Sequence, residues 1–301
     1  MDVIRCQPTI GAEIRGVDLA RGLTDAGFEQ VNDALLDYKI VFFRDQRLDA
    51  EGQLALGRRF GELEINPFRP QGANQPALQV ILNDRDHPVL STDVWHADLT
   101  FREKPTKFTI LNALEVPPAG GDTLWADMCA AYDGLDSATR ERIAGLTARH
   151  DFRNFRVLYE GSTAKRAELK RMEAAFPNPS HPVVINHLDT LARVLFVNRQ
   201  FTVCIEGLDA DESDRLLEHL CAQASVPEYQ FRLRWRPGTV AIWDNRACQH
   251  YAANDYYPAR RHMERVAVAG DAAPFFDPAA APAREIPRLR RVHAFEDGRP
   301  G

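Results

Sequence analysis

Trp95-His96-Ala97-Asp98-Leu99-Thr100-Phe101 is the stretch from which the rest of the chain can be read. In an extended segment alternate side chains share a face, so His96 and Asp98 are predicted to point together while Trp95 and Ala97 point away. Two metal-binding side chains would then converge from one strand. A His-x-Asp triplet taken alone is common, and its plain reading is a structural or surface pair. A third donor stands far downstream in Trp243-Asp244-Asn245-Arg246-Ala247-Cys248-Gln249-His250, where an apolar strand from Thr239 to Trp243 runs into the turn-forming Asp244-Asn245. Two imidazoles and one carboxylate hold a redox metal from one side and leave the other side open, which is how a facial triad supports iron(II) oxygenase chemistry. The chain has nine histidines, so spacing alone does not select His250.

The residues downstream of His250 favour it. In Arg260-Arg261-His262-Met263-Glu264-Arg265-Val266-Ala267-Val268 a strand would put Arg261 and Arg265 on one face, about 13 Å apart along it. A buried guanidinium needs an anion, and its planar fork matches a carboxylate with two charge-assisted hydrogen bonds, so an arginine near a metal points to a dicarboxylate cosubstrate. The plain alternative is a pair of surface arginines. Thr123, in Gly120-Gly121-Asp122-Thr123-Leu124-Trp125, can add a hydroxyl donor to the same carboxylate, although that residue by itself says little.

The rest of the chain reads mostly as short strands. Between Thr24 and Tyr38 the apolar residues Phe28, Val31, Leu35 and Leu36 recur at helical spacing, and Lys39-Ile40-Val41-Phe42-Phe43 switches to a buried strand. Further helices are predicted at 49–60, 136–145, 163–175 and 210–224, the last opened by Asp209 with Glu212 three residues on. Strands are predicted at 77–83, 93–101, 108–116, 122–127, 146–155, 182–187, 193–198, 230–236, 239–243 and 262–269. Many short strands with few helices imply a mainly β protein with flanking helices, a sandwich or jelly roll.

The 301 residues, 45% hydrophobic and 27% charged, are enough for one sizeable core, and a single domain over 1–270 is expected. From 271 to 301 the composition turns to Ala, Pro and Asp and then to Arg, a tail read as loosely held or packed on a neighbouring subunit. The net charge of −6, without a Lys/Arg block, suggests no nucleic-acid or anionic-membrane partner. Five scattered cysteines without CxxC spacing argue for free thiols in a reducing cytosol. The first residues lack a signal-peptide pattern, and no apolar run reaches the roughly 18 residues of a membrane helix, so a cytoplasmic protein is expected.

On these motifs the chain resembles the TauD/TfdA family of iron(II)- and 2-oxoglutarate-dependent dioxygenases. The likeness runs from about Ile10 to Asp271 through Gly11 to Leu19, Trp95 to Phe101, Gly120 to Trp125, Leu195 to Asn198, Trp243 to His250 and Arg260 to Arg265. It implies a double-stranded β-helix (a cupin-like jelly roll) with iron(II) at His96, Asp98 and His250, and the distal carboxylate of 2-oxoglutarate held by Arg261 and Thr123. By the same likeness Arg265 turns toward a substrate anion, Phe201 is an aromatic wall of the substrate pocket, and the protein assembles as a homodimer or higher homo-oligomer. Taurine enzymes of the family carry a histidine and a tyrosine where this chain has Asn66 and Arg69, and an asparagine where it has Thr92, which turns the expectation away from taurine. Arg69, Arg153 and Arg156 hint at more negative charge on the substrate, although each can equally face solvent.

The reaction implied consumes 2-oxoglutarate and dioxygen, releases succinate and carbon dioxide, and hydroxylates or oxidatively cleaves a small anionic organic substrate. Desaturation is the nearest alternative, and the Asp98 carboxylate argues against halogenation, which needs that position for halide. A metal-dependent hydrolase would need a general base and has no use for Arg261. A binding module that had lost catalysis would be expected to lose a ligand or the clamp.

Overall fold

The computed structural model describes residues 1–68, 75–87 and 93–289. Its first half contains β1 (Asp2–Arg5), β2 (Ala12–Arg15), α1 (Asp25–Tyr38), β3 (Ile40–Phe43), α2 (Ala50–Phe60), β4 (Leu78–Asn83), β5 (Phe108–Glu115), β6 (Thr123–Asp127), α3 (Met128–Asp133), α4 (Ser137–Ile143) and β7 (Thr147–His150). The second half adds α5 (Thr163–Ala175), β8 (Ser180–Pro182), β9 (Val184–Asn186), β10 (Arg193–Leu195), β11 (Thr202–Ile205), α6 (Ala210–Ala222), β12 (Gln230–Leu233), β13 (Val240–Asp244), β14 (Cys248–Ala252) and β15 (Arg261–Val268).

A seven-stranded sheet in the order β1-β2-β3-β13-β5-β15-β4 is faced by a three-stranded sheet, β12-β6-β14. Period-two alternation decides which side chains meet. On β5, β13 and β15 the residues Ile110, Ile242 and Val266 face outward onto Val31 and Leu35 of α1 and Leu54 of α2. Their neighbours Leu111, Trp243 and Met263 face inward and pack against Trp125, Phe231 and Cys248 of the smaller sheet. A strand covered on both sides has no polar face, which is why β3 reads Ile-Val-Phe-Phe and is buried throughout. This is the double-stranded β-helix, with helices flanking it. The predicted helices correspond to α1, α2, α4, α5 and α6, and the Asp209 carboxylate caps α6 by accepting from the Glu212 N–H at 2.8 Å.

One expectation fails at the most informative stretch. Residues 93–101 are not a strand: only His96 is bridged, to His250, and Asp98 to Thr100 form a turn with Leu99 in the left-handed region at φ 49°. The Asp98 N–H, which a strand would spend on a neighbour, goes to the Asn245 side-chain oxygen at 3.1 Å. His96 and Asp98 therefore converge through a turn and not through alternation. The strand predicted over 146–155 likewise stops at His150 and gives way to a 3-10 helix, Arg153–Tyr159.

The tail is held against its own chain as far as it is described. Arg193 donates to the Asp277 and Pro278 carbonyls at 2.6 and 2.9 Å, Arg284 pairs with Asp33 and Asp37 on α1 at 2.7 and 2.9 Å, and Ile286 is buried. Residues 290–301 lie outside the described part. No described helix is long and apolar enough to cross a membrane.

Burial sets a pH dependence. His150, buried beside His181, and His187, buried against Asp244, both have pKa values pushed down by desolvation. A histidine whose folded pKa lies below its unfolded value of about 6.5 contributes stability above that value, and the contribution is lost as pH falls toward the folded pKa. Differential scanning calorimetry between pH 7.5 and 5.5 is expected to show Tm falling steadily with acid, and a flat Tm would contradict this account.

Candidate active site

The bridge between His96 and His250 is a two-way backbone pair, N–H to O at 3.0 and 2.7 Å, and it brings the two imidazoles to a centroid separation of 4.1 Å. With Asp98 they form a buried cluster in which one donor atom from each residue lies within 4.8 Å of the others, a spacing one ion can span. His96 Nδ1 lies 2.7 Å from the Val94 carbonyl. That contact makes Nδ1 the protonated nitrogen and leaves the Nε2 lone pair free for a metal. His250 lies against the Trp243 indole at 4.9 Å and turns its Nε2 toward Asp98 Oδ1, 4.0 Å away.

The protonation states suit metal binding. Burial pushes both histidines down, His250 to about 3 with the His96 ring adding to the effect, so each offers a neutral lone pair at neutral pH. Burial alone would raise the Asp98 carboxyl, but Arg265, His250, His96 and the Thr109 hydroxyl outweigh it and hold the group well below the usual carboxylate range.

Arg261 and Arg265 share the inward face of β15, as their spacing predicts, and both are buried. Their surroundings differ. Arg265 Nη2 lies 2.9 Å from Asp98 Oδ2 and its Nη1 donates to the Gln79 side chain at 3.0 Å, so its charge is already met. Arg261 has no carboxylate at ion-pair distance among the described residues, its Nε has no hydrogen-bond partner, and desolvation pushes its pKa down. Trp235 and Tyr256 flank its guanidinium at 6.0 and 5.9 Å. Thr123 stands on β6 in register with Leu233 of β12 and Ala252 of β14, and its hydroxyl accepts the Trp235 indole N–H at 2.9 Å. With that lone pair filled, the hydroxyl proton is left to donate. A buried cation and a hydroxyl donor without an anion fit the far carboxylate of a dicarboxylic acid.

Phe201 is buried with its ring 6.4 Å from that of His96, and Phe155 and Phe68 continue the aromatic wall in stacked pairs at 5.8 and 4.6 Å. Asn66 spends its side chain on Gln79 and on the Phe68 N–H. Arg69 and Thr92 lie outside the described residues. Arg156 is engaged by Asp151 and Glu173, at 3.0 and 3.2 Å.

Sequence reasoning missed Thr109, Asn245, Trp235, Tyr256 and Gln79. Thr109 was legible in principle: parity along β5 puts it on the inward face with Leu111, where a polar residue in an apolar row needs a partner. Asn245 sits in a turn held by the buried Asp244 carboxylate, which receives the Arg246 guanidinium at 2.9 and 2.7 Å and lies 2.9 Å from His187 Nε2.

The family model described as "Taurine catabolism dioxygenase TauD, TfdA family" matches residues 2–267. The chain is 35% identical to the (S)-phenoxypropionate/alpha-ketoglutarate-dioxygenase of Sphingobium herbicidovorans, over 90% of this chain and 96% of that one. It is also 35% identical to the alpha-ketoglutarate-dependent sulfate ester dioxygenase of Pseudomonas putida, over 90% of each. The crystal structure of a taurine dioxygenase from Burkholderia xenovorans superposes with a TM-score of 0.75 at 33% identity, covering 90% of this chain and 91% of that one. A match over nearly the whole chain, together with the buried triad and a matching fold, places this protein in the TauD/TfdA family of iron(II)- and 2-oxoglutarate-dependent dioxygenases.

Proposed function

We propose that His96, Asp98 and His250 hold ferrous iron, that Arg261 and Thr123 grip the distal carboxylate of 2-oxoglutarate, and that the chain oxidises a small organic anion carrying an aryl or alkyl tail. The observation that carries the reading is Arg261, a buried guanidinium without an ionic partner among the described residues, on the same strand face as the arginine that touches Asp98. Iron(II), when bound with 2-oxoglutarate and dioxygen, supplies the oxidation of a C–H bond, with succinate and carbon dioxide as co-products.

The chain's own residues bind, orient and exclude water. Val94 fixes the His96 tautomer, the Trp243 indole packs at a tilt against His250, and Arg261 with Thr123 sets the direction in which the cosubstrate enters. The wall of Phe201, Phe155 and Phe68 supports an apolar substrate body beside His96, because an aromatic face gains from burying carbon and offers a sulfonate anion no hydrogen bond or counter-charge. This agrees with relatives named for phenoxypropionate and sulfate esters. Arg265 remains close to the substrate side, but its charge is shared with Asp98, so it gives a substrate anion only a partial counter-charge. Arg69 and Thr92 belong to the same reading of the substrate pocket. Residues 1–270 form the catalytic domain and 271–301 a tail. A cytoplasmic location is supported by five free cysteines, and a homo-oligomer by the family likeness alone.

Protein stripped of metal with a chelator is expected to consume no 2-oxoglutarate and to regain turnover with iron(II) but not with zinc(II). Turnover of 2-oxoglutarate regained with redox-inert zinc(II) would overturn the iron(II) reading. Arg261→Ala should raise the KM for 2-oxoglutarate about 30-fold or more, since removing one side of a buried charge pair costs about 2 kcal/mol or above. An unchanged KM would remove Arg261 from the clamp. In a succinate-release screen, an aryloxyalkanoate or alkyl sulfate is expected to exceed taurine in kcat/KM by on the order of tenfold or more, from burial of the tail. Preference for taurine would overturn the aromatic-wall argument.

A further inference from the structure

Asp98 has two carboxylate oxygens, and the structure treats them differently. Oδ2 receives the Thr109 hydroxyl at 2.6 Å and lies 2.9 Å from Arg265 Nη2. Oδ1 faces His250 Nε2, 4.0 Å away, inside the cluster of donor atoms. Behind this asymmetry stands a chain of hydrogen bonds that leaves no freedom of direction. The Asn245 side-chain oxygen accepts two N–H groups, from the Asp98 backbone at 3.1 Å and from the Trp243 indole at 3.0 Å. An oxygen facing two donors fixes the amide, so its Nδ2 faces Thr109 and donates to that hydroxyl at 3.0 Å. With a lone pair taken by Asn245, the single hydroxyl proton of Thr109 is directed at Asp98 Oδ2. Thr109 and Asn245 are both buried.

We propose that Thr109 and Asn245 are positioning residues that commit one oxygen of Asp98, so that the carboxylate can offer a metal only the other. This rests on the reading of His96, Asp98 and His250 as metal donors and adds what that reading lacks, a reason for the carboxylate to bind through one atom. The distinction matters for the chemistry. With three protein donors and a chelating 2-oxo acid bound, an octahedral ion would keep one position for dioxygen. A second oxygen from Asp98 would occupy that place.

The test uses cobalt(II) alone as the probe, titrated into the metal-free full chain and followed by calorimetry and by the visible cobalt spectrum. Thr109→Val removes the hydroxyl at nearly constant volume and is expected to lose about 10- to 100-fold in cobalt(II) affinity, the usual effect of removing a group that orients a ligand. Thr109→Ser restores the hydroxyl and is expected to stay within about threefold of wild type by the same reasoning. Because the two residues act in series, the Thr109→Val/Asn245→Ala double variant should lose no more than the weaker-binding single variant. If Asn245→Ala fails to fold, the Thr109 pair alone decides. Wild-type affinity in Thr109→Val, a loss in Thr109→Ser as large as in Thr109→Val, or additive losses in the double variant would overturn the proposal. A wild-type chain that binds no cobalt(II) would instead overturn the metal reading beneath it.

Discussion

Everything in the site depends on one pair of backbone hydrogen bonds, the reciprocal bridge between His96 and His250. It joins a loop that belongs to no sheet to an edge strand of the smaller sheet, and it does so at the two residues whose side chains must meet. The closure of so long a stretch of chain costs entropy that two hydrogen bonds cannot offset alone. The remainder comes from the stacked sheets on either side, whose inward rows of Trp125, Trp243 and Met263 hold β6, β13 and β15 in place.

Charge in the interior follows a simple pattern. Arg265 is answered by Asp98, Arg246 by Asp244, and Lys39 by Asp127 at 3.4 Å, each pair removed from water together. Arg261 breaks the pattern, and the exception is informative because the same strand face carries a satisfied arginine four residues away. Among the described residues the other buried cations have carboxylate partners, and Arg261 alone stands without one, as the proposed cosubstrate site requires.

The sequence carried the pattern of elements and the identity of the donors, but not the manner of their meeting. The apolar runs of β3 and β13 and the helical spacing of α1 and α6 were legible because each element's own period betrays its buried face. β14 was not, since Cys248-Gln249-His250 shows no alternation that a pattern can detect. The turn at Asp98 escaped for another reason: it exists because Asn245, distant in sequence, takes the Asp98 N–H, and no local rule can see a partner that far away. The same holds for the role of Arg265, whose spacing revealed its face but not that a metal-side carboxylate already holds it.

The indole of Trp235 gives the proposed clamp of Thr123 and Arg261 a chemical preference. By filling an acceptor lone pair of Thr123, it leaves a recess in which hydroxyl and guanidinium alike offer hydrogen and take none. Such a recess distinguishes a carboxylate from its amide or its protonated acid, both of which would bring a hydrogen of their own against those already there. In that proposal, fidelity toward the cosubstrate rests on the direction in which one tryptophan points its nitrogen.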